Sequence, residues 1–158
     1  MSVSSVRTYL SLYGLADRIE EFDVSSATVE LAAAALGTEG ARIAKTVSLY
    51  GKDGGCILIV SAGDYKIDNQ KFKAHFGFKP KMLSPEDVLS MTGHAVGGVC
   101  PFALPAGVPV YLDESLRRFD AVYPAAGSSS SAVRLSCDEL FAASGALEWG
   151  DFCKPKEV

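Results

Sequence analysis

Three stretches of this 158-residue chain hold residue types that can do chemistry. The first is Lys45, inside Ile43-Ala44-Lys45-Thr46-Val47. On a strand, Ile43, Lys45 and Val47 point to one face. An amine carried into an apolar face needs a partner or a shifted pKa, and such lysines are often functional. The other reading is an edge-strand lysine whose stem lies along the sheet while its head reaches water. The second stretch is Gly93-His94-Ala95-Val96-Gly97-Gly98-Val99-Cys100-Pro101-Phe102. Glycines let a backbone come close to a ligand, and consecutive amides can bind an anion or an oxyanion. No Gly-Lys-Ser/Thr follows, so this is not a nucleotide phosphate loop. His94 and Cys100 form a conceivable nucleophilic pair. Nothing in the sequence marks that thiol as acidic, which such chemistry needs. The third stretch is Ala125-Ala126-Gly127-Ser128-Ser129-Ser130-Ser131. Its hydroxyls can read polar ligand atoms, or it is a hairpin tip. There is no Gly-x-Ser-x-Gly elbow, which argues against a serine hydrolase triad.

Metal and disulfide chemistry have little to build on. Cys56, Cys100, Cys137 and Cys153 are far apart, and His75 and His94 are the only histidines. A structural zinc site usually shows a closely spaced ligand pair. No basic segment followed by a long apolar run opens the chain, so the expected setting is cytoplasmic, with free thiols. The longest apolar runs, Leu31–Leu36 and Cys56–Val60, are far short of the roughly 20 residues that span a bilayer. No membrane partner is expected.

The net charge of −4 is unevenly spread. Residues 1–40 carry −4, residues 41–81 carry +5 and residues 82–158 carry −5. A general nucleic-acid coater is basic throughout. Here the middle third could grip a short piece of backbone through Lys66, Lys71, Lys73, Lys79 and Lys81, or simply form a solvated face.

Length and a hydrophobic fraction of 48% fit one globular domain over residues 1–158. Val6, Tyr9, Leu10 and Tyr13 recur at helical spacing before Gly14. Arg18–Val24 reads as a strand. Thr28–Leu36 reads as a helix capped by Thr28 and ended by Gly37. Arg42–Tyr50 and Cys56–Ala62 form a hairpin about Gly51–Gly55. Asp68–Phe76 and Pro85–Met91 read as helices capped by Asp68 and Ser84. Val108–Leu112 is strand-like, and Asp113–Arg118 is a helical turn. Asp120–Ala125 and Ala132–Leu135 read as strands around the serine loop, and Cys137–Ser144 as the last helix. This order shows no regular strand–helix alternation and predicts an α+β fold.

Several of these pieces together resemble a known family. Ile43-Ala44-Lys45-Thr46, Ser61-Ala62-Gly63-Asp64, Thr92 through Pro101, Val110-Tyr111-Leu112-Asp113-Glu114-Ser115-Leu116 and Ala126-Gly127-Ser128 follow in the order seen in the YbaK family. That family is related to the editing domain inserted in bacterial prolyl-tRNA synthetases. The likeness runs from about Ser4 to about Ser144. It implies one α+β domain, a mixed sheet or partly open barrel with flanking helices. It implies hydrolysis, in trans, of the ester of mischarged tRNA, Cys-tRNA(Pro) or another small amino acid on tRNA(Pro). Lys45 is the implied catalytic residue. Thr46, His94, Gly97, Gly98, Val99, Cys100, Pro101, Gly127 and Ser128 are the implied substrate contacts. Lys66, Lys71 and Lys73 are the expected tRNA contacts. No metal, cofactor or enzyme nucleophile is implied: water, the ribose 2′-hydroxyl or a substrate thiol attacks. The implied partner is the aminoacyl-tRNA 3′ end, with prolyl-tRNA synthetase as a second candidate. The four serines of Ser128–Ser131 replace a more basic stretch of the cysteine-specific branch, so alanine or serine also remains open. Two further readings stand beside this one: a non-catalytic binding module of the same fold, and a thiol enzyme built on Cys100 and His94.

Overall fold

A computed structural model describes residues 2–23 and 28–156. Its centre is the hairpin expected from the β-branched runs. β-strand residues Ile43–Tyr50 pair antiparallel with Cys56–Ala62, with Lys45 opposite Ser61 and Val47 opposite Ile59. With the earlier strand Ile19–Glu21 as β1, these are β2 and β3. Beyond them come β4 (Tyr65–Ile67), β5 (Val110–Asp113), β6 (Tyr123–Pro124), β7 (Ser131–Val133), β8 (Glu148–Gly150) and β9 (Cys153–Pro155). The main sheet has five strands in the order β6-β2-β3-β5-β8. It is mixed: β2 and β3 are antiparallel, and the other three pairings are parallel. Two-stranded ribbons, β1–β7 and β4–β9, flank it.

Among the described residues five α-helices cover this framework: α1 (Ser2–Ser11), α2 (Val29–Leu36), α3 (Asn69–Phe76), α4 (Pro85–Thr92) and α5 (Cys137–Ser144). The sequence signals for their ends operate as expected. Thr28 Oγ1 accepts from Leu31 N, Asp68 from Gln70 N and Lys71 N, and Ser84 from Asp87 N. Ser136 and Glu139 form a full capping box on α5. Such caps satisfy amides that a helix leaves unpaired.

β3 is buried on both faces, and its two faces serve two cores. Leu58, Val60 and Ala62 pack with Val6, Leu10, Phe102, Leu116, Leu135 and Leu140. Ile57 and Ile59 pack with Leu49, Phe72, Phe152 and Cys153. Odd-numbered β2 residues share this second face, so Lys45 points where Cys153 does. Gly63, in the turn after β3, is set against Gly40: a Cβ there would lie 2.0 Å from the Gly40 carbonyl oxygen.

Three expectations need correction. The strands expected around the serine loop at Asp120–Ala125 and Ala132–Leu135 shrink to Tyr123–Pro124 and Ser131–Val133, and the two do not form a ladder with each other. β6 joins β2 and β7 joins β1, and a lone bridge, Val122–Leu135, links the two segments. The loop competes for its own backbone. Ser131 Oγ accepts from the Ala126 and Ser128 amides and donates to the Ser128 carbonyl. The β1 strand is shorter than Arg18–Val24, and Val24 lies outside the described residues. The short strands β4, β8 and β9 were not expected. Three residues carry too little periodicity to read, and each strand exists because a distant partner pairs it. Among the described residues, no helix is long and apolar enough to cross a membrane.

Candidate functional site

Beside β2 the sheet leaves a gap. β6 pairs with β2 only at Ile43 and Ala44, and the next contact on that side is the bridge between Leu49 and Met82. Lys45–Ser48 between them line a cleft of about 370 Å³. α2 contributes Val29 and Ala32, α4 contributes Val88, and the glycine loop contributes Val96, Gly97 and Val99. Tyr123, Ala125, Ser131 and Ala132 close the far side. Lys45 is the one charged side chain among the described lining residues. A second groove, about 770 Å³, lies at the β2–β3 turn and contains none of the candidate residues.

The Lys45 ammonium stands with Lys156, Cys153 and Asp64. Burial, and then the Lys156 ammonium beside it, lower its pKa from 10.5 to about 8. Cys153 and then Asp64 offset this in part, and Arg118 holds the Asp64 carboxylate at 2.6 and 3.1 Å. Both sequence readings of Lys45 thus contain part of the outcome. Its stem follows the sheet, and its charge is half withdrawn from water. Next to it, Thr46 Oγ1 is buried with no hydrogen-bond partner among the described residues. A buried hydroxyl without a partner is unusual in a folded protein.

The two loops singled out in the sequence meet. Gly98 is buried against the serine loop, and a Cβ on it would fall 2.7 Å from Ser128 Cα and 2.9 Å from Gly127 O. Only glycine lets the two backbones come this close. Gly97 adopts φ 92° and Gly127 φ 103°, which fixes both turns. The Gly98 amide is used within its own turn, donating to Ala95 O at 3.0 Å. The Gly97 and Val99 amides have no acceptor among the described residues, and both residues line the cleft.

His94, Gly98, Cys100, Pro101, Gly127 and Ser128 are not among the lining residues. His94 Nε2 donates to Phe102 O at 2.8 Å, so the bare ring nitrogen is Nδ1, which is buried and unpaired. Burial lowers its pKa and keeps the ring neutral. Cys100 Sγ is 3.5 Å from the donor nitrogen Nε2, not from the base. Full burial pushes its thiol up to about 12. The thiol-enzyme reading is therefore overturned: the sulfur is protonated, covered and faced by an imidazole that has no free lone pair toward it. Native protein treated with iodoacetamide at pH 8 is expected to leave Cys100 unlabelled, with full labelling only after denaturation. Peptide mass mapping reads this directly, and rapid native labelling of Cys100 would contradict it.

Of the expected tRNA contacts, Lys66 is exposed on β4 and Lys73 is exposed on α3. The Lys71 ammonium is already engaged, 2.9 Å from Asp151 and 3.0 Å from the Cys153 carbonyl. It ties α3 to the tail, and this raises its pKa. No group of three His, Cys, Asp or Glu among the described residues could hold a metal ion.

These features coincide with a defined family. Residues 23–143 match the family described as "Aminoacyl-tRNA editing domain". The chain belongs to that family. It is 50% identical over 157 residues to "Uncharacterized protein YwhH" of Bacillus subtilis, which covers 99% of this chain and all of that one. It is 30% identical over 114 residues to "Putative Cys-tRNA(Pro)/Cys-tRNA(Cys) deacylase EbsC" of Enterococcus faecalis, across 72% of this chain and 70% of that one. A solved structure described as "Crystal structure of a putative trans-editing enzyme for prolyl tRNA synthetase" superposes with TM-score 0.88 at 30% identity, covering 97% of both chains.

Proposed function

We propose that this chain hydrolyses, in trans, the ester of tRNA(Pro) charged with a small wrong amino acid, cysteine being the first candidate. The observation that carries the reading is the cleft itself. One cation, Lys45, and two residues whose amides have no acceptor among the described residues, Gly97 and Val99, line a space with no carboxylate, thiol or imidazole among its described lining residues.

An aminoacyl ester is already activated, so the protein's task is to orient it and stabilise charge. Water adds to the carbonyl carbon, either at the ester itself or at the new ester formed when a substrate hydroxyl or thiol has first displaced the ribose oxygen, and the carbonyl oxygen gains the negative charge. The Gly97 and Val99 amides are the donors proposed for that oxygen. One such donor contributes roughly 3 kcal/mol to lowering a barrier of this kind. The intermediate collapses by breaking the bond to the ester oxygen or sulfur, which leaves with a proton. Lys45 supplies positive charge to the terminal phosphate or to the developing oxyanion. Thr46 Oγ1 gains its missing partner from the bound aminoacyl group. The apolar walls at Val29, Ala32, Val88 and Val99 suit a small uncharged side chain. A methylene more or less changes such discrimination by only ~1–3 kcal/mol, which leaves alanine and serine beside cysteine. Prolyl-tRNA synthetase, the source of such errors, is the proposed partner. The similarity to a protein described as its trans-editing enzyme supports this.

The test is a panel of Cys-tRNA(Pro), Ala-tRNA(Pro), Ser-tRNA and Pro-tRNA(Pro), each incubated with the protein. The expected result is loss of one mischarged ester with Pro-tRNA(Pro) spared. Survival of all four esters despite tight binding would make the chain a binding module instead.

A further inference from the structure

The β4–β9 ribbon carries one lysine on each strand and a third one residue past β9. Lys66 on β4 is directly opposite Lys154 on β9. Residues so paired point to the same face with Cβ atoms about 4.5–5.5 Å apart, and like charges there weaken a ribbon. One residue past β9, Lys156 N donates to Asp64 O at 2.9 Å. This fold of the tail brings the Lys156 ammonium against that of Lys45 at the cleft.

Each nearby carboxylate is shared with another group, although Asp64 also acts on Lys45 and Asp68 on Lys154. Asp64 holds Arg118, Asp151 holds Lys71, and Asp68 caps α3. Asp113 accepts from Ser115 N and Phe152 N. Among the described residues, none of Lys45, Lys66, Lys154 and Lys156 forms an ion pair. Like charges held together without an internal partner are neutralised best by an anion from outside. Lys45 lines the cleft while Lys156, Lys154 and Lys66 lie outside its lining, so an anion with several charges in line meets more of the lysines than a compact one does.

We propose that Lys156, with Lys154 and Lys66, forms a cation track for the phosphates of the single-stranded 3′ end of tRNA, delivering its terminal ester to Lys45. The inference rests on the reading that the ligand is aminoacyl-tRNA. It gives the tail a role in binding, and it joins the basic middle of the sequence to two lysines from its acidic last third.

The test uses uncharged RNA, so it does not depend on hydrolysis. A fluorescent acceptor-stem hairpin, with or without its single-stranded 3′ tail, is titrated with the full chain at several salt concentrations. Lys156→Gln is expected to weaken binding to the tailed hairpin about threefold to tenfold and to reduce the salt slope by about one. The Lys66→Gln/Lys154→Gln double variant should lose more. On the blunt hairpin these differences should vanish. Lys52→Gln, in the β2–β3 turn, should bind as wild type does. Equal affinity of Lys156→Gln and wild type for the tailed hairpin, or equal losses on both hairpins, would overturn the track. If no mischarged ester is hydrolysed yet binding depends on Lys156, the deacylase reading falls and the track stands. If esters are hydrolysed while Lys156→Gln binds normally, the track alone falls.

Discussion

Replacing Lys45 with methionine is expected to cut ester hydrolysis by about 10²–10³-fold and, at neutral pH, to make the folded protein more stable. The two effects have one origin. The fold holds this ammonium half buried beside Lys156, and that lowers its pKa from 10.5 to about 8. Below pH 8 the amine is protonated in both folded and unfolded chains, and the folded state bears the full cost of the charge. Between pH 8 and 10.5 the unfolded chain binds more protons, so stability rises with pH. Above 10.5 that cost is gone. Lys45→Met removes it at every pH while keeping most of the stem's packing. Its Tm should therefore exceed that of wild type at pH 7, with the difference shrinking toward pH 10.5. The wild-type enzyme should in turn lose kcat/KM as pH rises through about 8, because that ratio reports the free enzyme's ionisations. Melting curves at pH 7 and pH 10, with deacylation rates on the same samples, check both halves. A variant that keeps its turnover, or melts below wild type at pH 7, would contradict the assignment. Gain of stability on loss of activity is the usual sign of a residue kept for function.

Gly98→Ala should be the most damaging single methyl group in the glycine loop. Its Cβ would meet Ser128 Cα at 2.7 Å and Ser128 N at 2.9 Å. These are backbone atoms, so no side chain can swing aside. One of the two loops must retreat, at a cost of about 1–3 kcal/mol. The amides of Gly97 and Val99 flank this position and move with it. A displacement of about 1 Å of catalytic groups costs on the order of 10²-fold in rate. Gly107→Ala is the matched control. It is strained by φ 86° but has nothing within 4 Å of the added methyl, and it lies away from the cleft. Urea melts should show destabilisation in both variants, and kcat/KM should collapse in Gly98→Ala alone. Wild-type kcat/KM in Gly98→Ala would mean that the loop contact does not position the site.

The elements that could be read in advance are those whose signals are local. The β2–β3 hairpin follows from two β-branched runs around a glycine-rich turn, and α2, α3 and α4 follow from Thr28, Asp68 and Ser84 as caps. Lys45, Gly97 and Val99 stand out in the sequence as candidates, and all three line the cleft. Cys100 and His94 were legible only as residue types. Whether a thiol is a nucleophile depends on burial and on which imidazole nitrogen faces it, and neither property is local. The lysines of the tail gave no signal at all. Lys154 and Lys156 lie in a region that is acidic on balance, and only the pairing of β9 with β4 sets Lys154 opposite Lys66 and carries Lys156 to Lys45.

By itself, then, the sequence determined the hairpin, the capped helices, the family and the lysine at its centre. Turns, caps and period-two alternation act between near neighbours, so they survive in a one-dimensional reading. The tertiary structure decided the rest. It set Gly98 against Ser128 and left the edge of β2 open between β6 and Met82. It buried Cys100, set Lys66 opposite Lys154 and brought Lys156 to Lys45. Each of these rests on contact between segments distant in the chain, where the energy comes from close packing and low dielectric rather than from any residue's own preference.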